Sequence, residues 1–247
     1  MREWFENEAF WREMYPFMFD ERRFAMAADD VRKIVKLTGV RRGTVLDLCC
    51  GPGRHSVALA KRGFQVTGVD RTRFFLSRAR RRARAARARV EFVESDMRDF
   101  VRPDTYRLAI NLFTSFGYFD NKKGDQHVLR NVFASVQRGG VFVVDVMGKE
   151  RLARILSATT SERLADGTLL VQVHEIFDDW TRTRNEWILL KGNRARRFKF
   201  HHTLYSGQEL KDLLGQAGFA EVKLYGSLDG QPYGPDSPRL VAVARKS

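Results

Sequence analysis

The chain has 247 residues and a formal net charge of +14, set by 44 Lys and Arg against 30 Asp and Glu. With 43% hydrophobic and 30% charged residues it has a globular composition, and its length fits one α/β domain with an insertion, or two small domains. No apolar run is long enough to cross a bilayer and Met1-Arg2-Glu3-Trp4-Phe5-Glu6 has no apolar h-region, so no membrane span and no signal peptide are expected and the chain reads as cytoplasmic.

Residues 1–38 read as amphipathic helix rich in aromatics (Trp4, Phe5, Phe10, Trp11, Tyr15, Phe17, Phe19, Phe24), with Pro16 predicting a bend between two short helices. Thr44-Val45-Leu46-Asp47-Leu48-Cys49-Cys50 is a continuous apolar run of the kind buried on both faces of a parallel sheet. A Gly-Pro-Gly turn follows, then a helix from Arg54 to about Arg62 that Gly63 ends. The alternation repeats: strand 65–70, helix 73–87, strand 90–94, strand 108–113, helix 126–136, and a turn at Gln137-Arg138-Gly139-Gly140 into strand 141–146. Strand and helix in succession predict a doubly wound, mostly parallel sheet.

After Gly148 the rhythm changes. Strand-like stretches at 168–178 and 185–204, with no long helix between them, predict an antiparallel β insertion over 150–205 that covers one face of the site. The α/β rhythm resumes with a helix at Ser206–Ala217, where Ser206 and Glu209 form a capping box and Gly218 stops it. Strands at 221–224 and 240–245 bring the sheet to seven. The expected organisation is an N-terminal helical lid over 1–38 and an α/β domain over 39–247 that contains the insertion.

Two further features have bland readings beside sharp ones. Cys49 and Cys50 are adjacent, too close to pair and too few to bind a metal, so they read as small buried hydrophobes and no metal site is expected. Seven arginines between Arg78 and Arg89 read either as a solvated helix face or as an RNA-binding face. No aromatics interleave with them to stack bases, which favours the solvated face.

The chemistry concentrates at Asp47-Leu48-Cys49-Cys50-Gly51-Pro52-Gly53-Arg54, between a buried strand and a helix. Gly51 and Gly53 let the backbone turn sharply and let a ligand approach. Asp70 ends the next strand, where a carboxylate can accept both hydroxyls of a ribose. A diphosphate is disfavoured: the third glycine of a dinucleotide fingerprint is Ser56, Pro52 has no amide hydrogen, and Asp47 at the strand mouth suits an ammonium group.

This pattern resembles the class I S-adenosylmethionine-dependent methyltransferases, whose E/D-x-x-x-G-x-G motif matches Asp47 to Gly53. The resemblance runs from about residue 40 to the end and implies a Rossmann-like fold with S-adenosyl-L-methionine as cofactor. It implies that the Asp47–Gly53 loop, Cys49 included, holds the methionyl part and that Asp70 holds the ribose. It also implies that Asp96 binds the adenine amino group, that Met97 lines the ring, and that Asn111-Leu112-Phe113 borders the transferable methyl. Where the family usually has Pro before the fifth strand, this chain has Arg138. Taken singly, Asp70 and Asp96 could each be a cap or turn residue; three acids at three successive strand ends argue for a shared site.

In-line displacement at a sulfonium is governed by alignment, and aromatic faces stabilise the cation. The Phe113–Phe119 stretch, with Tyr118, and the N-terminal Tyr15 and Phe19 are positioned to supply such faces. Tyr118, His201 and Tyr233 are the candidates for a catalytic side chain that could act as a base, beside His202 and Tyr205. The expected partner is a small-molecule acceptor enclosed by lid and insertion. An RNA methyltransferase is the alternative raised by the charge and by the basic stretch Arg194–Lys199, but Asn111-Leu112-Phe113-Thr114 stands in place of the Asn/Asp-Pro-Pro-aromatic tetrad. An NAD-dependent oxidoreductase is the third reading, opposed by Ser56 and Pro52.

Overall fold

The computed structural model describes residues 3–247. In chain order the strands are β1 (Thr44–Leu48), β2 (Gln65–Asp70), β3 (Val90–Glu94), β4 (Tyr106–Asn111), β5 (Val136–Val146), β6 (Thr159–Arg163), β7 (Leu169–Phe177), β8 (Arg182–Lys191), β9 (Arg194–Thr203), β10 (Glu221–Tyr225) and β11 (Leu240–Arg245). The helices are α1 (Glu8–Met18), α2 (Glu21–Thr38), α3 (Arg54–Lys61), α4 (Arg73–Ala85), α5 (Lys122–Ser135), α6 (Lys149–Ile155) and α7 (Gly207–Gln216).

Seven strands form one sheet in the order β10-β11-β5-β4-β1-β2-β3. The five strands from β5 to β3 are parallel, while β11 runs antiparallel between β5 and β10. Chain order moves outward from β1 to β3, then restarts beside β1 at β4. The crevice above the carboxyl ends of β1 and β4 is therefore the switch point where α/β sheets bind ligands.

The sheet separates two layers of core. Leu46, Leu48, Ala109, Phe142 and Val144 pack on α5 and α7; Val45, Leu108, Ile110, Val141 and Val143 pack on α2 and α3. This two-sided burial explains the unbroken apolar runs, each Val, Leu or Ile contributing roughly 1.5–3 kcal/mol. Strands β6 to β9 make a separate antiparallel sheet, whose Trp187, Phe198 and Phe200 pack against Phe10 of α1.

Several expectations shift in detail. The bend between the first two helices falls at Phe19–Asp20, where the Asp20 side chain caps α2, and Pro16 sits inside α1. Pro16 and Arg12 are both on the exposed face, so water can take the Arg12 carbonyl that the proline leaves without a partner. Strand β1 ends at Leu48, because Cys49 turns into the left-handed region with φ 60°. The stretch 185–204 is a hairpin, with β8 and β9 joined at Gly192 (φ 53°), and α6 and β6 precede it. The capping box of α7 is present, with Ser206 accepting from the Glu209 amide and Glu209 from the Ser206 amide.

Candidate active site

Three left-handed residues in five, Cys49, Gly51 (φ 55°) and Gly53 (φ 77°), fold the chain back between β1 and α3. The loop is fixed by Asp70 at the end of β2: its Oδ2 accepts from the Gly51 amide at 2.9 Å and its Oδ1 from the Thr72 amide at 2.8 Å. Burial pushes the Asp70 carboxyl up from its ordinary value, against the pull of these two amides. Asp47, buried in β1, accepts from the Ser56 hydroxyl, and burial likewise raises its carboxyl.

Above these strand ends lies a cavity. Of the residues singled out from the sequence, Asp47, Cys49, Gly51, Asp70, Asp96, Met97, Leu112 and Tyr118 line it. Gly53 lies outside the lining. A Cβ there would stand 2.9 Å from that of Ala79, so this glycine serves the packing of α4 against the loop. Asn111 also stays outside, its amide donating to the Leu48 carbonyl at 3.4 Å. Tyr15 packs on Phe19, Phe74 and Phe75 behind the cavity; of the two lid residues named from the sequence, Phe19 is the one that lines it.

The base candidates separate. Tyr118 lines the cavity, but burial, with Cys49 and Asp70 nearby, raises its phenol far above neutrality. His201 sits outside, 2.7 Å from Asp120, and burial lowers its imidazole. Tyr233 donates to Glu150 Oε2 at 2.6 Å, also outside. His202 is pushed down to about 3 by burial, and its neutral ring packs between Trp4 and Tyr118. No residue of 150–205 lines the cavity. The insertion bears on it indirectly, through Trp4, whose ring meets Phe200 at 5.2 Å and Tyr118 at 4.8 Å.

Asp96 is held by a fork from Arg98, with Nε at 3.0 Å and Nη2 at 2.9 Å. Burial would raise this carboxyl, but the Arg98 hydrogen bonds outweigh it and keep it below its ordinary value. Arg98 also reaches Glu3 at 3.1 Å and Arg71 reaches Glu6 at 2.9 Å, so two ion pairs fasten the N-terminal segment over this end.

Sequence reasoning missed the opposite end. Arg23, Arg54 and His55 line the cavity. The Arg54 guanidinium lies 3.8 Å over the Phe113 ring, donates once, to the Arg23 carbonyl at 3.1 Å, and has no carboxylate within 4 Å among the described residues. His55 pairs with Asp30 of α2 at 3.1 Å and stacks on Phe113. Phe113 and Thr114 both have positive φ (57° and 62°). They are held there by Asp145, whose carboxylate accepts from the Phe113 amide at 3.0 Å and whose carbonyl accepts from the Thr114 amide at 2.9 Å, and by Arg239 across from it. The position of Arg54 and His55 directly after the glycine turn was the available signal.

Residues 45–140 match a family model described as a methyltransferase domain. Over 93% of this chain and 95% of the relative, the sequence is 23% identical to YqeM of Bacillus subtilis (strain 168), a protein named as a methyltransferase with no acceptor in its name. It is 25% identical, over 49% of this chain and 50% of the relative, to a dTDP-3-amino-3,4,6-trideoxy-alpha-D-glucopyranose N,N-dimethyltransferase of Streptomyces venezuelae. The fold is shared with an S-adenosylmethionine-dependent methyltransferase from Clostridium acetobutylicum ATCC 824, with a TM-score of 0.78 and 14% identity over 97% of this chain and 98% of that one. Glycine turn, sheet order and family model agree: the chain carries a methyltransferase domain over residues 45–140, in a fold shared with S-adenosylmethionine-dependent methyltransferases.

Proposed function

We propose that this methyltransferase acts on an amine nitrogen of a small-molecule acceptor. The observation that carries the reading is enclosure: Phe5, Trp11 and Phe19 of the N-terminal segment close over the strand ends and leave a compact, aromatic-lined space. The name of the Streptomyces venezuelae relative, an amino-sugar dimethyltransferase, supports nitrogen and a small acceptor. In this reading the segment up to residue 38 is the lid of the α/β domain over 39–247, and the insertion over 150–205 is its buttress.

The residues suit the cofactor part by part. Asp70 is placed to accept ribose hydroxyls with the lone pairs its two amide partners leave free, and Asp96 with Met97 to take the adenine. Arg54 has uncommitted N–H donors facing the cavity, a match for the α-carboxylate of the amino acid tail. When bound, the cofactor supplies a sulfonium-activated methyl group. The chain's part is to align, to exclude water and to offer aromatic faces. Tyr118 stays protonated, so its role is to orient an acceptor N–H by hydrogen bonding and not to remove the proton.

Incubation with methyl-labelled cofactor, a pool of small amines and bulk RNA tests the choice. Label in the acid-soluble amine fraction is expected; label confined to RNA would reject the reading.

A further inference from the structure

The amino ends of the parallel strands, opposite the cavity, carry an open groove. It is bounded by Thr44, Gln65 and Tyr106 at the starts of β1, β2 and β4, and by the guanidinium-bearing Arg80, Arg84 and Arg89. Arg102 also lines it, already forked on Glu91 at 2.7 Å. Arg80, Arg81, Arg84, Arg87 and Arg89 are all exposed, and among the described residues the side chains of Arg81, Arg84, Arg87 and Arg89 have neither a hydrogen bond nor a carboxylate within 4 Å. Arg78 and Arg82 of the same helix are spent differently, stacked on Tyr15 at 4.3 Å and on Phe24 at 3.4 Å.

An ordinary surface helix alternates signs. Here no acid occurs from Arg73 to Val90, and within α4 the pairs Arg80/Arg84 and Arg81/Arg84 set like charges three or four residues apart, each costing roughly 0.2–0.5 kcal/mol. Helix C-termini face this edge, and a basic last turn compensates the dipole. That accounts for about half a charge at one helix end, not for five exposed arginines. We propose that this groove is a docking site for the phosphate backbone of RNA. A recess edged by Arg80, Arg84 and Arg89, its one lining acid, Glu91, already paired with Arg102, admits a phosphodiester chain, whereas a bilayer surface presents its phosphates in a plane. The docked polymer is a partner and not the methyl acceptor. Groove and cavity lie at opposite ends of strands of five to six residues, roughly 17–20 Å apart.

The test is fluorescence anisotropy of a fluorescein-labelled RNA hairpin with the full chain, from 50 to 200 mM salt, beside vesicles of phosphatidylserine and phosphatidylcholine. With four phosphate contacts, affinity is expected to fall roughly 10²-fold across that range. Arg84→Gln with Arg89→Gln is expected to reduce the salt slope by about two, and Arg89→Gln alone by about one. Both variants should keep the wild-type affinity for S-adenosylhomocysteine, which reports on the cavity independently. Hairpin binding with the same affinity and slope in the double variant, no binding at 50 mM salt, or binding to the vesicles without the hairpin would each overturn the proposal.

Discussion

Replacing Arg239 by Met should unfasten the loop that borders the cavity. Arg239 Nε lies 2.6 Å from Asp145 Oδ1, its Nη2 donates to Thr114 Oγ1 at 2.9 Å, and the Asp145 side chain is only 3% exposed. Removing the arginine leaves a buried carboxylate facing one amide donor, that of Phe113. Breaking a buried pair from one side costs about 3–5 kcal/mol. For a chain of this size that corresponds to a fall in melting temperature of roughly 6–20 °C. A second loss follows locally. Phe113 and Thr114 hold left-handed backbone at about 1–3 kcal/mol each, and Asp145 with Arg239 offsets that strain. With the clamp weakened the loop should relax and cofactor affinity should drop even below the melting transition. Urea titration gives the first quantity and calorimetry with S-adenosylhomocysteine the second. Replacing the pair together, Arg239→Met with Asp145→Leu, should recover much of the global stability while cofactor affinity stays low, because the Phe113 amide has lost its acceptor. A single variant within 1 kcal/mol of wild type, with unchanged affinity, would refute this account of the loop.

Asp70→Asn keeps the shape of the residue but removes its charge, and should weaken S-adenosylhomocysteine binding roughly 10- to 100-fold by calorimetry; an unchanged affinity would remove the ribose assignment. Gly53→Ala should destabilise by about 2–4 kcal/mol in urea, since its φ of 77° and the 2.9 Å approach to Ala79 both oppose a side chain; a neutral variant would show that α4 shifts freely. Asp125 is pushed up to about 7 by burial, even though Tyr205 donates to it at 2.6 Å. Because its folded value lies above its unfolded one, its contribution is present below about pH 4 and is lost as pH rises through 7. Asp125→Asn should therefore grow more stable than wild type from pH 4 to pH 7, by at most about 4 kcal/mol, and stay level above that. Parallel stability curves for the two proteins in urea would contradict it.

The sheet was legible because burial on both faces demands apolar runs and because turns punctuate them. The ranges of β2 and β3 come directly from the sequence, as does the Ser206 capping box. Asp47, Asp70 and Asp96 were legible as strand-end acids for the same reason. What could not be read depends on contacts between distant segments. Asp145 and Arg239 are 94 residues apart, and Arg98 meets Glu3 across 95. The N-terminal segment is helical as expected, but which rings enter the cavity depends on the rotation of α1, so Tyr15 faces away while Trp11 lines it. Cys49 reads as strand by composition and leaves it because the turn begins two residues before Gly51.

The most direct test is a crystal grown with S-adenosylhomocysteine. The account predicts the ribose on Asp70, the adenine beside Asp96 and Met97, and the tail carboxylate on Arg54. Density for the ligand elsewhere, or a cavity that excludes it while calorimetry shows no binding, would contradict the assignment.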